Sequence, residues 1–448
     1  MNKDAKITVK TAAGKSREAG TGENIGQGTV EGAVISAASI DYTIDKFFAN
    51  SAAELGYGNL KIQPIIFQDD IARLTTNVKD AQTGNIKLAN CLETKLLNFN
   101  VEKCGYIVLG SKQAKKKIEK ELANSPLTLN GKVVKSISSG KYLGDYICDK
   151  GLPESVHKTV LKRKGQAIAC IMEVRAILND CRSGVIGGIT SGLEIWELGI
   201  VPFLLYNCDT WVEMKKSTLK ELDEIQYLFY RALLSTPRTC PIPILLWDTG
   251  GIMMEHRIAM KKLLFYHHIK HLEKRSLASM IADIQEKLSF PGLMQECVNL
   301  MSKYNIKENV CLLSKLAWKK VVKKYIMRQN ELDLTERIRY YKKLDQIDTK
   351  NEVFGRQPYM KTLNLPDARL RFALRARMTR TIQTNFKGDP GFKANGWKCV
   401  SCGTLDTQEH VMVCDGYKAI RKEKTLKEDK GIVEFFREVI KLRSYLVH

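Results

Sequence analysis

Near the C-terminus, three cysteines and one histidine follow one another at short intervals, and this spacing constrains the fold more than any other feature of the chain. They are Cys399, Cys402, His410 and Cys414, with Gly403 directly after the second cysteine. Three thiolates and one imidazole suit tetrahedral Zn²⁺, and the glycine permits a tight turn between ligands. Because the protein supplies all four ligands, the ion would keep no open position for catalysis. The sequence therefore predicts a small structural zinc module.

Hydrophobic patterning divides the rest of the chain into a mixed region and a helical region. Apolar residues alternate or cluster in short segments over 1–150, whereas from 151 they recur every three or four residues, as on one face of a helix. The prediction is an α+β protein with three domains, 1–150, 151–350 and 351–448. Within them we expect strands over 6–11 and in a hairpin over 62–74, helices over 32–53, 81–97, 161–178, 219–234 and 258–269, and a break near 236–243.

The charge of the chain points to a polyanionic partner. There are 71 Lys and Arg against 49 Asp and Glu, a formal net charge of +22 at pH 7. Such a surface attracts nucleic-acid phosphates, although charge alone also serves solubility. Hydrophobic residues make up 44%, which argues against a disordered protein. No segment approaches the roughly 18 uncharged apolar residues of a membrane span, and the N-terminus lacks the apolar part of a secretory signal. We therefore expect an intracellular protein with no membrane partner.

Two adjacent carboxylates, Asp69 and Asp70, interrupt an apolar segment that runs from Ile62 to Ala72. An apolar strand that meets two acids and then resumes predicts a hairpin with the acids at its turn. Carboxylates fixed in this way can hold Mg²⁺ ions about 3.5–4 Å apart, as two-metal nucleotidyl transfer requires. Taken alone, Asp-Asp between strands is usually only a turn.

Four segments in a fixed order give these acids a more specific context. They are Gly26-Gln27-Gly28 before a helix of small residues, Phe67-Gln68-Asp69-Asp70, the segment 96–104, and Lys141-Tyr142-Leu143-Gly144. In this order they resemble motifs B, C, D and E of reverse transcriptases, and the helical region that follows resembles the thumb of non-LTR (LINE-type) retrotransposon enzymes. The Cys/His segment is similar to the C-terminal CCHC motif of the same elements. The resemblance implies a partial polymerase palm, an antiparallel sheet with helices, followed by a helical thumb and connection and a zinc knuckle.

The resemblance also implies a role for each matching residue. Asp69 would bind catalytic Mg²⁺ directly and Asp70 would support the site, while Lys103 would help to protonate the leaving pyrophosphate. Three further positions would bind nucleotide and template: Gln27, Gly28 and Gln68. Another three would form the primer grip, the turn that holds the primer strand: Tyr142, Leu143 and Gly144. Glutamine at position 68 departs from the family, which more often has a small residue there. Without its neighbours, Lys103 is simply a surface lysine and 26–28 a flexible loop.

The family's further catalytic aspartate, in motif A, has no counterpart before Gly26. The one aspartate there is Asp4, and its surroundings do not resemble motif A. We therefore expect a segment without motif A and fingers, as in a 5′-truncated element copy or an incomplete gene, that does not polymerise alone. Its partners would be an RNA template, a DNA primer and dNTPs, its own element's RNA among the candidates, in a ribonucleoprotein of the nucleus or cytoplasm.

A basic helix is predicted over 366–380, just before the Cys/His segment. Four arginines lie on its sides, Arg369, Arg371, Arg375 and Arg380, whereas Leu370, Ala373, Leu374 and Arg377 share another face. The helix is either a phosphate-binding surface beside the zinc module or a solvated amphipathic helix packed on the thumb. The first alternative gives a second hypothesis for the chain: a catalytically silent protein that binds nucleic acid through this helix and the zinc knuckle. A free-standing nuclease has no support beyond Asp69 and Asp70.

Overall fold

The structure is a computed structural model that describes residues 6–7, 10–11, 14–15, 19–20, 55–57, 60–62, 64–67, 70–94, 97–180, 188–289, 291–378, 398–424 and 426–447. Within these ranges the chain is mostly helical and its short strands lie in pairs, which confirms the α+β class in this coarse form. The chain divides into two compact units, Met1–Ser155 and Val156–His448. The predicted boundary at 350 falls within the second unit and stays a prediction. The helix predicted over 32–53 lies outside the described residues.

Short strands are the main feature of the first unit. Its described strands are β1 (Lys6–Ile7), β2 (Lys10–Thr11), β3 (Gly14–Lys15), β4 (Ala19–Gly20), β5 (Leu55–Tyr57), β6 (Leu60–Ile62), β7 (Ile65–Phe67), β8 (Asp70–Ala72), β9 (Gly105–Tyr106), β10 (Thr128–Leu129), β11 (Lys132–Val133), β12 (Lys135–Ser136), β13 (Ser139–Tyr142) and β14 (Asp145–Cys148). The pairs β1–β4, β2–β3, β5–β6, β7–β8, β10–β11 and β13–β14 are antiparallel, and β9–β12 is parallel.

Two of these pairs bear on the predictions. The hairpin predicted over 62–74 is confirmed by β7 and β8, in which Phe67 lies opposite Asp70. The strand predicted over 6–11 corresponds to β1 and β2, which pair with β4 and β3. Among the described residues the strands form pairs and no larger sheet, so the polymerase palm stays a prediction.

Two helices complete the first unit, α1 (Val78–Glu93) and α2 (Lys112–Asn124). Each begins at a side-chain cap: Asn77 accepts a hydrogen bond from the backbone N–H of Asp80, and Ser111 accepts one from Ala114. The apolar face of α1 explains its position, because Leu88 and Cys91 are buried against residues of the β7–β8 hairpin. Helix α1 begins and ends a few residues before the helix predicted over 81–97.

Helices form nearly all of the second unit. They are α3 (Leu152–Asp180), which begins just before it, α4 (Ile189–Ile195), a π-helical turn (Trp196–Ile200), α5 (Val201–Leu204), α6 (Lys216–Leu234), α7 (Ile242–Thr249), α8 (Met254–Lys270), α9 (Leu277–Lys287), α10 (Leu293–Lys303), α11 (Lys315–Arg339), α12 (Tyr359–Thr362), α13 (Leu365–Arg375), α14 (Gln408–Val413), α15 (Lys418–Glu423) and α16 (Asp429–Val447). The helices predicted over 161–178, 219–234 and 258–269 are confirmed within α3, α6 and α8. The predicted break is also confirmed, since α6 ends at Leu234 and α7 begins after Pro241.

Two apolar cores hold these helices together. The first lies among α3 to α7, where Trp196 stacks on Phe229 with ring centroids 4.8 Å apart. The second lies among α8, α10 and the N-terminal half of α11, and Trp318 is buried at its centre. Helix α11 contributes to both, because its buried residues recur every four positions from Trp318 to Ile338.

A third core surrounds the Cys/His segment. Phe435, Phe436 and Val439 of α16 pack there against Val411 of α14, and Leu374 of α13 joins them. Because Phe372 of α13 belongs to the first core, this helix ties the Cys/His segment to the rest of the second unit. None of the described helices is long and apolar enough to cross a membrane.

Candidate functional site

The first two cysteines of the predicted zinc module lie on one tight turn. The backbone N–H of Cys399 donates to the carbonyl of Thr404 at 2.7 Å, and the N–H of Gly403 donates back to the carbonyl of Cys399 at 2.9 Å. Gly403 has a φ of +75°, a left-handed conformation that glycine adopts without steric cost. The turn therefore brings Cys399 and Cys402 to the same side of the backbone, as the sequence predicted.

The other two predicted ligands lie in α14 and directly after it, because His410 is within the helix and Cys414 is its C-terminal cap. Thr407 caps this helix by accepting a hydrogen bond from the N–H of His410. His410 and Cys414 are four positions apart, so they lie on the same face, one turn from each other. Next to them, Gly416 fits where no larger residue could, because a Cβ there would lie 1.6 Å from Ser401 Oγ. The close packing of these two segments brings the helix against the turn.

The four side chains converge at distances near those of a tetrahedral zinc site. Their ligand atoms all lie within 4.8 Å of one another. Cys402 Sγ is 3.1 Å from His410 Nε2 and 3.6 Å from Cys414 Sγ. Bond lengths of about 2.3 Å to sulfur and about 2.0 Å to nitrogen place tetrahedral ligand atoms about 3.5–3.8 Å apart. The residues present therefore fit a metal ion such as zinc, held by His410 through Nε2.

The three thiols differ in how readily they lose a proton. Burial raises the pKa of Cys399, but hydrogen bonds from the Tyr417 hydroxyl and from nearby backbone N–H groups outweigh burial and lower it. The pKa of Cys402 is lowered by hydrogen bonds from Thr404. Burial raises the pKa of Cys414 to about 11. Two of the three thiols therefore lose a proton more readily than an ordinary cysteine, and the thiolate is the form that binds a metal.

A buried arginine that no sequence pattern indicated supports the Cys399 side of the cluster. Arg443 of α16 is fully buried, and it donates to both carboxylate oxygens of Asp406 at 2.7 and 3.0 Å. Its Nε donates to the hydroxyl of Tyr417 at 2.9 Å, and that hydroxyl lies 3.5 Å from Cys399 Sγ. The result is a bonded chain from Asp406 to a metal ligand. The position of Tyr417, three residues after a ligand, could have indicated its role, but nothing in the sequence marks Arg443.

In the first unit, the hairpin that carries Asp70 lies beside the predicted primer grip. Tyr142, at the end of β13, places its hydroxyl 3.4 Å from the carbonyl oxygen of Ile65 in β7, at the outer limit of a hydrogen bond. Burial raises the pKa of Tyr142, and the negative charge of Asp70 raises it further. Two segments about seventy positions apart in the chain therefore meet, and both were singled out from the sequence.

The turn between β13 and β14 consists of Leu143 and Gly144, with φ of 47° and 90°. Two successive residues with positive φ form the turn that suits a two-residue hairpin, where Asn-Gly is preferred. Glycine accepts this conformation freely, whereas leucine there is strained. The strain is retained at a position that the resemblance assigns to primer binding.

The segment that carries Lys103 packs beside the β7–β8 hairpin. Its Phe99 packs in the apolar cluster that Ile66 and Ile71 of this hairpin form with helix α1. Phe99 also belongs to the neighbouring apolar cluster that contains Val101. Lys103 itself is exposed at the end of a short 3-10 helix, Val101–Lys103.

Five predicted site residues, Gln27, Gly28, Gln68, Asp69 and Arg380, lie outside the described residues.

The arginines of the predicted phosphate-binding helix are engaged by protein atoms. Helix α13 begins with Asn364 as its cap, and Arg369 donates to the carbonyl of Leu233 at 2.8 Å. Arg371 pairs with Asp429 at 2.6 Å. Arg375 donates to both oxygens of the fully buried Asp248 and also pairs with Glu352. At these three positions the guanidinium groups contact one carbonyl and three acids of the protein, of which Asp248 is buried, and the assignment of this helix to phosphate stays a prediction.

Comparisons with protein-family models, with curated proteins and with solved structures find no match for this chain. Two candidate sites are therefore identified from the geometry of the described residues alone. One is a Cys₃His cluster that could bind a metal such as zinc. The other is the pair of adjoining hairpins that carry Asp70 and Tyr142.

Proposed function

We propose that this chain is a segment of a reverse transcriptase from a non-LTR retrotransposon, and that its two adjoining hairpins hold the end of a DNA primer on an RNA template. The observation that carries the proposal is the approach of the Tyr142 hydroxyl to the carbonyl oxygen of Ile65, in the hairpin that carries Asp70. The order of the segments supplied the resemblance, and nothing in that order required the two hairpins to meet. A carboxylate beside the primer grip is the arrangement that nucleotidyl transfer at a primer end needs.

Each residue would contribute a defined part of this chemistry. Mg²⁺, when bound, would polarise the phosphate and activate the primer hydroxyl. Asp70, at the start of β8, would hold the cation together with its neighbour in the sequence, Asp69. The turn at Leu143 and Gly144 would support the primer backbone, and Lys103 would supply a proton to the leaving group from its exposed position. A complete site also needs carboxylates that match motif A.

The Cys₃His cluster would act as a structural centre in the same protein. Four protein ligands leave no open coordination position, so a bound zinc ion would hold the turn at Cys399 to α14 rather than activate a substrate. Its support by Arg443 and the third core agrees with this role. The module would present the C-terminal part of the chain to RNA or DNA.

Localised cleavage by Fe²⁺ tests the primer site. The full chain is bound to a primed RNA template, and Mg²⁺ is replaced with Fe²⁺. Added hydrogen peroxide oxidises the bound Fe²⁺ to Fe³⁺ and is itself reduced to hydroxide and a hydroxyl radical, which cuts the nucleic acid next to the ion. We expect cuts within the last few nucleotides of the primer, and we expect Asp69→Asn and Asp70→Asn to remove them. Glu119→Gln is the matched control, because it removes an exposed carboxylate on α2. Cuts that are scattered along the duplex, or that persist in both aspartate variants, would contradict the proposal.

The second candidate is a catalytically silent nucleic-acid-binding protein. It is favoured by one observation: the zinc ligand set is complete among the described residues. Under this alternative the zinc-loaded chain binds nucleic acid equally well with and without a recessed primer end, and Asp70→Asn changes neither affinity. Under the leading proposal the recessed end binds more tightly, and the variant loses that preference.

A further inference from the structure

The N-terminal half of α11 carries a concentrated row of positive charge. Its cations are exposed at six positions, Lys315, Lys319, Lys320, Lys323, Lys324 and Arg328. The first acid of the helix is Glu331, so residues 315–330 contain cations and no carboxylate. Among the described residues, none of the six forms an ion pair with an acid. Among the described acids, Glu308 contacts the neighbouring Tyr325, and Asp333 accepts a hydrogen bond from Gln329.

The helix holds this row in a fixed place. Its opposite face is buried at Trp318, Val322 and Ile326, and the indole N–H of Trp318 donates to the carbonyl of Leu263 at 2.8 Å. Farther along, the side chain of Asn330 accepts from the N–H of Met253 at 3.0 Å. Two residues along a helix correspond to about 200°, so Lys320, which follows Trp318 by two positions, points away from the core. Lys324 and Arg328 repeat this relation to Val322 and Ile326.

This arrangement is unfavourable for the helix by itself. Lysines four positions apart repel each other, whereas alternating signs would stabilise an exposed helix. Lys315 also lies in the first turn, where the helix dipole disfavours a cation. The helix keeps these like charges despite their mutual repulsion and the unfavourable dipole at Lys315. This cost indicates a surface adapted to an anionic partner rather than to water.

We propose that the exposed face of α11 is a binding surface for the phosphate backbone of a nucleic-acid duplex. A step of four residues advances about 6 Å along the helix. The row at 320, 324 and 328 is therefore a straight, closely spaced line of cations, which suits the closely spaced charges of a phosphate backbone. A membrane surface does not fit, because the apolar face of α11 is buried in the protein core and cannot insert into lipid.

The proposal rests on the proposed function for the class of partner, and it adds a surface that neither the motifs nor the zinc module includes. Backbone contacts of this type carry no sequence information, so the surface would position a duplex without selecting it. Its contribution to affinity should depend steeply on salt, because each contact releases condensed counterions.

The salt dependence of binding tests the surface. The full chain is titrated into a fluorescently labelled RNA–DNA hybrid, and the observed association constant is measured by anisotropy over a series of salt concentrations. We expect K320A/K324A/R328A to reduce the slope of log affinity against log salt by about 2.7, since each phosphate contact contributes about 0.9. K320R/K324R keeps the charge and should bind as the wild type does.

A matched control removes the same charge elsewhere. K112A/K116A/K120A deletes three exposed lysines at the same spacing from α2 in the first unit, and it should keep the wild-type slope. Circular dichroism confirms that both triple variants fold. Equal slopes in the α11 variant and the wild type, equal losses in the two triple variants, or no binding by the wild type would each overturn the proposal. A slope that is reduced in the α11 variant but not in the α2 variant supports the proposal. This result would stand even if scattered Fe²⁺ cuts contradicted the proposed primer site.

Discussion

Leu143 adopts a backbone conformation that leucine rarely occupies, and this residue links strain to the proposed function. Its φ of 47° lies in the left-handed region, in a turn that favours asparagine or aspartate. Residues kept in such conformations cost about 1–3 kcal/mol each and cluster at functional sites. The side chain at this turn would face the primer, which gives a reason to retain it.

Exchanging this leucine separates stability from function. Leu143→Asn should stabilise the β13–β14 hairpin by about 1 kcal/mol, because asparagine tolerates positive φ, and it should weaken binding of a recessed primer end. Hydrogen exchange of the hairpin amides measures the first effect, and titration with a primed template measures the second. Leu109→Asn, at an exposed leucine without positive φ, is the control. Faster exchange in Leu143→Asn would contradict the assignment of strain.

Removing one thiolate tests the metal assignment directly. Cys402→Ser should abolish stoichiometric zinc in the purified chain, because serine replaces a ligand atom that lies within 4.8 Å of the other three. The third core should then lose stability, since metal binding and folding are coupled in small modules. Elemental analysis measures the zinc content. Cys311→Ser, at an exposed cysteine outside the cluster, should retain the full content, and a folded wild-type chain without metal would refute the site.

Arg443 should matter more than its distance in the sequence suggests. Arg443→Met leaves Asp406 buried without its partner, which costs about 3–5 kcal/mol for a broken buried ion pair. It also removes the hydrogen bond that orients Tyr417 toward Cys399, so zinc affinity should fall about 10–100-fold. Competition with a chelator measures the affinity. Lys430→Met, on the exposed face of the same helix, should leave it unchanged, and equal affinities in all three proteins would rule out this support.

Among the elements, helices were predicted more accurately than strands because their signal extends over more residues. Helix α6 repeats its apolar residues over five turns and closely matches the prediction over 219–234. The strands of the first unit are two to four residues long, too short for an alternating pattern to identify most of them. Helix α13 was placed well, but its arginines were interpreted as exposed because their partners, Asp248, Glu352 and Asp429, lie far away in the sequence.

Helix α6 also carries an acid whose burial opposes folding near neutral pH. Burial raises the pKa of Asp223 to about 6, above its usual 3.8. A carboxyl whose pKa is higher in the folded state destabilises the protein while it is charged, and this cost disappears as the pH falls from about 6 toward 4. Asp223→Asn should therefore stabilise the second unit by about 1–3 kcal/mol at pH 7 and have little effect at pH 4.

Urea denaturation of both proteins at the two pH values measures this difference. Asparagine can still accept the hydrogen bond from the N–H of Met254, so the packing is preserved. Asp283→Asn, at an exposed acid on α9, is the control and should show no such pH dependence. A stabilisation that is the same at pH 4 and pH 7 would contradict burial as the cause.

At the scale of the whole molecule, the sequence predicted local sites better than long-range contacts. The spacing of Cys399, Cys402, His410 and Cys414 was sufficient to predict their convergence, because all four lie on one turn and one short helix. The support by Arg443 and the contact between Tyr142 and β7 join segments that are distant in the sequence, and no local pattern records such pairs. The paired lysines at 319–320 and 323–324 suggest only a solvated face when they are taken from the sequence, and the buried face of α11 shows that its cations share one exposed side.

The proposed function places the primer end against the hairpin that carries Tyr142. Its test replaces Tyr142 with the photoreactive amino acid benzoylphenylalanine in the full chain, bound to a primed RNA template. We expect light to crosslink this position to the last few nucleotides of the primer, whereas the same replacement at the exposed Tyr340 should give no such product. Crosslinks from position 142 that are spread along the duplex, or absent while the hybrid remains bound, would show that the primer end lies elsewhere.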